Sequence, residues 1–524
     1  MVEYVDVARR LLNGEGYVLG VKAYHIGGYD VIHDGLVHRP PLFSVMLAGL
    51  LGLGLSFYDV QLVNVAFGAF SAAMVCSIGT RLFGRTVGIA AGILAAASPV
   101  GFEQQAQLLS DALGTALTLG AVRLVILAAD RTTARATIVL ALLAGLVFGL
   151  GYLDRPPIVI IALAVLVVLP FAAPSREQAW RLMLGLAAGL AIICLPVTLY
   201  SLLTRGRLSY SGKGYLFGVI SDADIMENGF ATQPLSPLEF VTNSPSYVLG
   251  AIWSVTSLYL RSIFLERDWL LPLALGWPGA LLALVRGWYP WQVWLVFSAA
   301  AANFVFYSLT WSSWQDRFML PTVFLLLPFV VDGLLRLLRG IIGTFLTSRS
   351  AAPGTKRPSS GRVTHALPAA LLGLVVVGTL ALWSPRFIDQ YRGQFRYGER
   401  PAGVRTTDGL RWTGPPRWVN DGNLDDVIDW TAEQTTPDTV LAHGQPWPFA
   451  FFTGRPMVLL PYRLNDANLR RFLTVYRVSY VLHDPRDPQR RDYGDQLRDL
   501  EADGVRGQRL KNLVVYDTRA LWQQ

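Results

Sequence analysis

Cysteine is scarce in this chain and charge is sparse. The 524 residues include two cysteines, Cys76 and Cys194. Both lie inside apolar runs, so no disulfide framework organises the protein. Only 16% of the residues are charged, while 52% are hydrophobic. That balance excludes an ordinary soluble domain of this length. There is no DNA- or RNA-binding motif, no period of self-similarity, and no Gly-rich loop suited to a sugar nucleotide. The opening Met1-Val2-Glu3-Tyr4-Val5-Asp6 is acidic and lacks the apolar stretch of a secretory leader. The formal net charge of +8 does not call for a nucleic-acid partner. A membrane accounts for it, because Lys and Arg concentrate in cytoplasmic loops.

What the chain has in abundance is long apolar runs. They cover about 41–57, 60–80, 86–103, 110–129, 136–153, 157–173, 181–204, 268–286, 290–310, 318–338 and 366–384. Runs near 18 residues are membrane helices by length, so the fold class expected is a polytopic α-helical membrane protein. If 60–80 runs outside to inside, thirteen basic residues fall in inner loops, among them Arg81, Arg85, Arg131, Arg135, Arg286, Arg336 and Arg339. Two, Arg155 and Arg317, then fall in short outer loops. The positive-inside bias selects that orientation. It places residues 1–59, an outer loop 205–267 and everything after 385 outside the membrane, with a basic, flexible inner linker over 340–364. A multi-pass protein of the cell membrane is expected.

Residues 2–12 put Val2, Val5, Ala8, Leu11 and Leu12 on one helical face and Glu3, Asp6, Arg9 and Arg10 on the other, the pattern of a helix lying in the interface. Asn13-Gly14-Glu15-Gly16 stops it, and 17–40 reads as loop. The run 41–57, opened by two prolines, either crosses the membrane or lies along its surface. After 385 the composition changes, with 20 Lys/Arg and 18 Asp/Glu. Strand-length apolar runs (Thr439–His443, Met457–Pro461, Val478–Asp484, Asn512–Thr518) alternate with helical patterns at 423–434, 466–476 and 492–503. This predicts a small outer α/β domain. The expected domains are thus 1–59, 60–384 and 385–524.

Several features follow one another along the chain in a fixed order. They are Tyr4, Ala8 and Arg9 on the surface helix; Gly14-Glu15-Gly16; His38-Arg39-Pro40-Pro41-Leu42; Arg81-Leu82-Phe83-Gly84-Arg85 on the inner side; Ser98-Pro99; Leu109-Ser110-Asp111-Ala112-Leu113; and Arg317-Phe318-Met319-Leu320-Pro321. The ordered set resembles the GT-C class of polyprenyl-phosphate-sugar-dependent glycosyltransferases, in particular protein O-mannosyltransferases, aminoarabinose transferases and rhizobial lipopolysaccharide transferases. The resemblance implies a long first outer loop with two surface helices, which favours the in-plane placement of 41–57. Relatives carry a catalytic Asp four residues before the Tyr that matches Tyr4, and a membrane helix before that Asp. Here the Asp position falls just ahead of Met1. Either the chain starts late, or Glu3 or Asp6 takes the role. At Gln61 relatives often have Arg.

The resemblance implies transfer of a sugar from a polyprenyl phosphate to an acceptor hydroxyl on the outer face. A carboxylate base must reach that hydroxyl, and cations must meet the charge growing on the leaving phosphate. The expected catalytic residues are Asp111 with Glu3 or Asp6. The expected donor-phosphate ligands are Arg39, Arg317 and His38, and the expected substrate contacts are Arg155, Gln61 and Tyr4. The lipid-linked donor and a glycan, lipid or protein acceptor are the implied partners, beside membrane lipid. No nucleic acid is expected, and the resemblance does not call for a divalent metal. Plainer readings stand beside these roles. Asp111 suits a helix cap, Arg39 a lipid phosphate, and Arg317 an ion pair with Asp316. Glu3 and Asp6 suit the polar face of a surface helix. Asp154-Arg155-Pro156-Pro157 suits a helix start. His25, His33 and Asp34 share a loop without a standard ligand spacing, and Trp311 and Trp314 fit an interfacial belt. A transporter or flippase, or a catalytically degenerate paralogue, is the alternative to an enzyme.

Overall fold

The computed structural model describes residues 2–22, 30–37, 39–107, 109–205, 242, 245–266, 273–310, 315–350, 363–395, 424–444, 446–460, 464–485 and 493–523. The chain divides into two compact units. One is Met1–Val60, Arg207–Val248 and Gln394–Gln524; the other is Gln61–Gly206 and Leu249–Gly393.

The first unit opens with α1 (Val2–Leu12). Gly14 and Gly16 end it at φ +78° and +88°, conformations that glycine adopts without strain from a Cβ. The segment read as loop over 17–40 carries short strands instead. β1 (Val18–Leu19) pairs antiparallel with β3 (His33–Asp34). β2 (Val21–Lys22) runs parallel to a strand at Met457–Leu459. Two-residue strands show too little alternation to register in a sequence. α2 (Pro41–Gly52) follows, with Pro41 in the first turn, where a missing N–H costs nothing. Its 12 residues make about 18 Å of helix, short of the ~30 Å hydrocarbon core. α1 packs on α2 through the edge-to-face contact of Tyr4 with Phe43, centroids 5.1 Å apart.

The second unit is a helical bundle. In order come α3 (Phe57–Phe83), α4 (Arg85–Ala96), α5 (Pro99–Ala106), α6 (Asp111–Ala129), α7 (Ala134–Asp154), α8 (Ile158–Ala172), α9 (Arg176–Arg205), α10 (Pro245–Leu265), α11 (Gly276–Val285), α12 (Val293–Thr310), α13 (Leu320–Ser350) and α14 (Val363–Phe395). Among the described residues seven helices are long and apolar enough to cross a bilayer, or eight if the α4–α5 pair, bent by 55°, is one span. Two of these findings depart from the sequence reading. The expected outer loop 205–267 contains the apolar helix α10, and α13 continues to Ser350 through the start of the expected linker; 351–362 lie outside the described residues. The 18-residue span inside α10 is interrupted by Ser254, Thr256, Ser257 and Arg261, which hides it from a reading based on uninterrupted apolar runs.

Small residues set the packing. A Cβ at Gly189 on α9 would lie 2.1 Å from the Leu142 carbonyl oxygen of α7, and one at Gly145 on α7 would lie 2.2 Å from the Leu186 oxygen. The two backbones therefore touch where an alanine would hold them apart, the small-residue mode of membrane helices. α13 is the buried centre of the bundle, with Phe324, Leu325, Phe329, Val330 and Val331 at 1% exposure or less. Leu184, Leu195 and Leu203 on α9, and Leu374, Val377 and Leu382 on α14, remain exposed, as lipid-facing side chains should.

After Gln394 the chain returns to the first unit with α15 (Leu424–Gln434), β4 (Leu441–His443), α16 (Pro446–Thr453), β5 (Met457–Leu459), α17 (Asp466–Val475), β6 (Tyr480–His483), α18 (Tyr493–Asp499), β7 (Arg506–Leu510) and β8 (Leu513–Asp517). The strands form one sheet in the order β2-β5-β4-β6-β8-β7, parallel through β6 and antiparallel beyond it. All four expected strands and all three expected helices are present. α16 and the polar edge strand β7 were not read from the sequence.

Candidate active site

Polar side chains gather at both ends of the bundle. At one end Arg81 closes on Asp130 at 2.5 Å, and Gln292 donates to the same carboxylate at 3.2 Å. Asp130 caps the C-terminus of α6. The candidate site lies at the opposite end of α6, around its first residue.

Asp111 opens α6 and is 2% exposed. Arg155, just past the end of α7, places Nη1 2.7 Å from Asp111 Oδ1. Arg317, from the 3-10 turn Asp316–Met319, places Nη1 4.0 Å from Oδ2. The two guanidiniums share one aromatic ring, since their carbons lie 5.0 and 5.1 Å from the Phe318 centroid. Phe318 is itself stacked on Tyr307, at 4.5 Å and 9°. Cation–π contacts hold guanidiniums weakly at exposed sites and more strongly where water is displaced. The result is a carboxylate between two arginines whose side chains keep 15% and 30% exposure, open to an anion from outside.

The surrounding chain fixes this geometry. The Asn303 amide donates to the Phe318 carbonyl at 2.9 Å and to Thr322, anchoring the 3-10 turn to α12. Asp316 accepts from the Ser262 hydroxyl of α10 at 2.8 Å. The expected Arg317–Asp316 pair is therefore not what holds Arg317, whose Nε donates to Gln315 at 2.8 Å. Arg386 of α14 lies 3.6 Å from Glu103 of α5. Asp154, the last residue of α7, is fully buried, and neither of its carboxylate oxygens has a hydrogen-bond partner among the described residues. Its neighbour across the helix pair is Gly114, where a Cβ would lie 2.8 Å from Asp154 Oδ2. In the sequence Asp154 suits a helix start, and the signal that marks it is an acid beside an arginine and two prolines at a helix mouth. Gln61, at the head of the bundle, is 2% exposed.

In the first unit Glu3 is buried and forms an ion pair with Arg39. The Arg39 guanidinium lies 4.9 Å over the Tyr4 ring. Tyr17 braces the segment from below by donating to the carbonyls of Arg39 and Pro40, at 3.3 and 2.9 Å. Three of the expected site residues, Glu3, Tyr4 and Arg39, thus sit together. Asp6 points elsewhere. Its Oδ2 accepts from the Gly20 N–H at 2.8 Å and from Arg10 Nε at 3.2 Å, which ties α1 to the β1–β2 corner. His38 and His25 lie outside the described residues, as do Trp311 and Trp314. Among the described residues no three His, Cys, Asp or Glu side chains form a metal-binding group.

Comparison with solved structures decides the fold. ArnT from Cupriavidus metallidurans, in its apo state, matches over 99% of this chain and 94% of its own, with 15% identity and a TM-score of 0.55. The same protein bound to undecaprenyl phosphate gives 0.56 at 15% identity, over 99% of this chain and 94% of that one. The oligosaccharyltransferase AglB from Archaeoglobus fulgidus, in complex with an inhibitory peptide and a dolichol-phosphate, matches 98% of this chain and 69% of its own, at 13% identity and 0.57. The chain shares the fold of these two proteins. Residues 38–200 also match the sequence model of the dolichyl-phosphate-mannose-protein mannosyltransferase family. That stretch runs from before α2 to within α9, and includes Arg39, Gln61, Asp111 and Arg155. A search of curated proteins finds no match.

Proposed function

We propose that this chain is an integral-membrane glycosyltransferase that moves a sugar from a polyprenyl phosphate to an acceptor hydroxyl at the extracytoplasmic face of the cell membrane. The observation that carries the reading is Asp111, buried at a helix start between Arg155 and Arg317 in a GT-C fold. Support comes from two proteins of that fold whose structures are known in complex with lipid phosphates: ArnT with undecaprenyl phosphate and AglB with a dolichol-phosphate.

The chemistry needs few groups. The acceptor oxygen attacks the anomeric carbon, the bond from that carbon to the phosphate oxygen breaks, and polyprenyl phosphate leaves. The hydroxyl proton passes to a carboxylate. Arg317 and Arg39 meet the charge that develops on the leaving phosphate. Asp111 orients the acceptor or the base, and Arg155, Tyr4 and Gln61 contact substrate. Of the two acids on α1, Glu3 suits the role of base better than Asp6, which the Gly20 amide and Arg10 occupy.

The test uses the full chain in lipid nanodiscs, with radiolabelled polyprenyl-phosphate hexose and pentose as donors and lipid, glycan or peptide as acceptors. Wild type is expected to transfer label. Asp111→Asn and Arg39→Ala are each expected to reduce transfer by about a hundredfold or more. Folded wild-type protein that neither transfers nor hydrolyses any such donor would overturn the reading. Full activity in both variants would overturn the assignment of the site.

A further inference from the structure

Asp154 has no place in the chemistry above, yet the structure keeps it at a cost. It is 0% exposed, and among the described residues neither oxygen accepts a hydrogen bond. Burying a carboxyl group without a partner is unfavourable, whichever protonation state it takes. An apolar side chain would fill the same space at the end of α7 without that cost.

The room for it is specific. A Cβ at Gly114 would stand 2.8 Å from Asp154 Oδ2 and 2.9 Å from Arg155 Cδ. The glycine, about one turn beyond Asp111, lets both side chains lie against α6. Arg155 has an extended backbone, φ −147° and ψ 107°, as the following proline requires. Its root is thereby fixed. From that root the guanidinium reaches Asp111 Oδ1 at 2.7 Å and covers the Phe318 ring at 5.0 Å. Asp154 is near enough to interact electrostatically with both Arg155 and Asp111.

We propose that Asp154 is a positioning residue: it anchors Arg155 when a lipid-borne phosphate draws that guanidinium away from Asp111. The inference rests on the glycosyltransferase reading and adds a partner exchange to it. A guanidinium has five donors in a planar fork, so one edge serves the phosphate while another serves Asp154. Asp111 is released in the same movement and becomes available to the acceptor. Without the second anchor Arg155 stays committed to Asp111, and the phosphate loses a ligand.

The sign of one measurement separates this from a purely electrostatic effect. If Asp154 only subtracts positive potential from the site, Asp154→Asn tightens the binding of an anion. If it anchors Arg155, the same isosteric change weakens binding. Undecaprenyl phosphate is titrated into the full chain in nanodiscs, with melting temperature as the folding control. Asp154→Asn is expected to raise Kd by about tenfold, the scale of one charged hydrogen bond. Asp154→Ser, which cannot crowd Gly114, should act alike. Neither change should matter in an Arg155→Met background. Unchanged or tighter binding by a folded Asp154→Asn protein overturns the inference, as does an equal effect without Arg155. Sugar transfer by wild type is followed in parallel. Its absence beside Asp154-dependent phosphate binding would end the enzymatic reading and leave the anchoring role standing.

Discussion

At the scale of single residues, charged groups in this protein divide into those that hold structure and those left open. Asp6 holds structure: loss of its bonds to the Gly20 N–H and Arg10 frees two buried donors. Asp6→Ala is expected to destabilise the first unit by about 2 kcal/mol, seen as a lower melting temperature. Lys22 works in the opposite sense. It is fully buried in β2, and burial pulls its pKa from 10.5 down to about 8, with Asp30 opposing part of that shift. The folded state therefore sheds the proton before the unfolded state does. Between pH 8 and 10.5 the unfolded chain binds more protons, so the Lys22 contribution to stability rises with pH across that window and is least favourable below it. Lys22→Met should remove this rise and stabilise the protein at neutral pH; melting curves at pH 7 and pH 9.5 would test both points.

At the scale of elements, legibility followed length. Helices from 57 to 204 and the strands at 441, 457, 480 and 513 were predictable, because each carries a run or an alternation long enough to count. The two-residue strands β1–β3 were not, since long-range pairing alone creates them. α10 was missed because Ser, Thr and Arg break its apolar run. In the site, Asp111 and Arg317 were legible as charged residues beside helix mouths. Their sharing of Phe318 with Arg155 was not, because it depends on how α6, α7 and the 3-10 turn meet. Helix contact through glycine carries its own prediction. Gly189→Leu on α9 would drive a side chain into the Leu142 carbonyl and should abolish a cooperative melt. A Cβ at Gly250 on α10 would meet nothing within 4 Å, so Gly250→Ala should be neutral or stabilise by up to about 1 kcal/mol.

At the scale of the whole molecule, charge distinguishes the two ends of the bundle. Arg81, Arg131 and Arg286 stand at or just past the ends of α3, α6 and α11, away from Asp111, and the positive-inside rule predicts that this end faces the cytoplasm. Single cysteines at Arg131 and at Gln315, in a background lacking Cys76 and Cys194, should react with impermeant maleimide from opposite sides of sealed vesicles. Reaction of both from one side would defeat the topology.

The parallel pairing of Val21–Lys22 with Met457–Val458 has a consequence for biosynthesis. The slot beside β5 does not exist until the ribosome has made more than four hundred further residues, and by then the whole helical bundle, α3 to α14, has been synthesised. Val21–Lys22 therefore waits for its partner strand until the bundle has been made. A nonsense codon or protease cut ahead of Met457 would thus strip the amino-terminal acid–arginine pair of its scaffold while leaving the intramembrane helices intact.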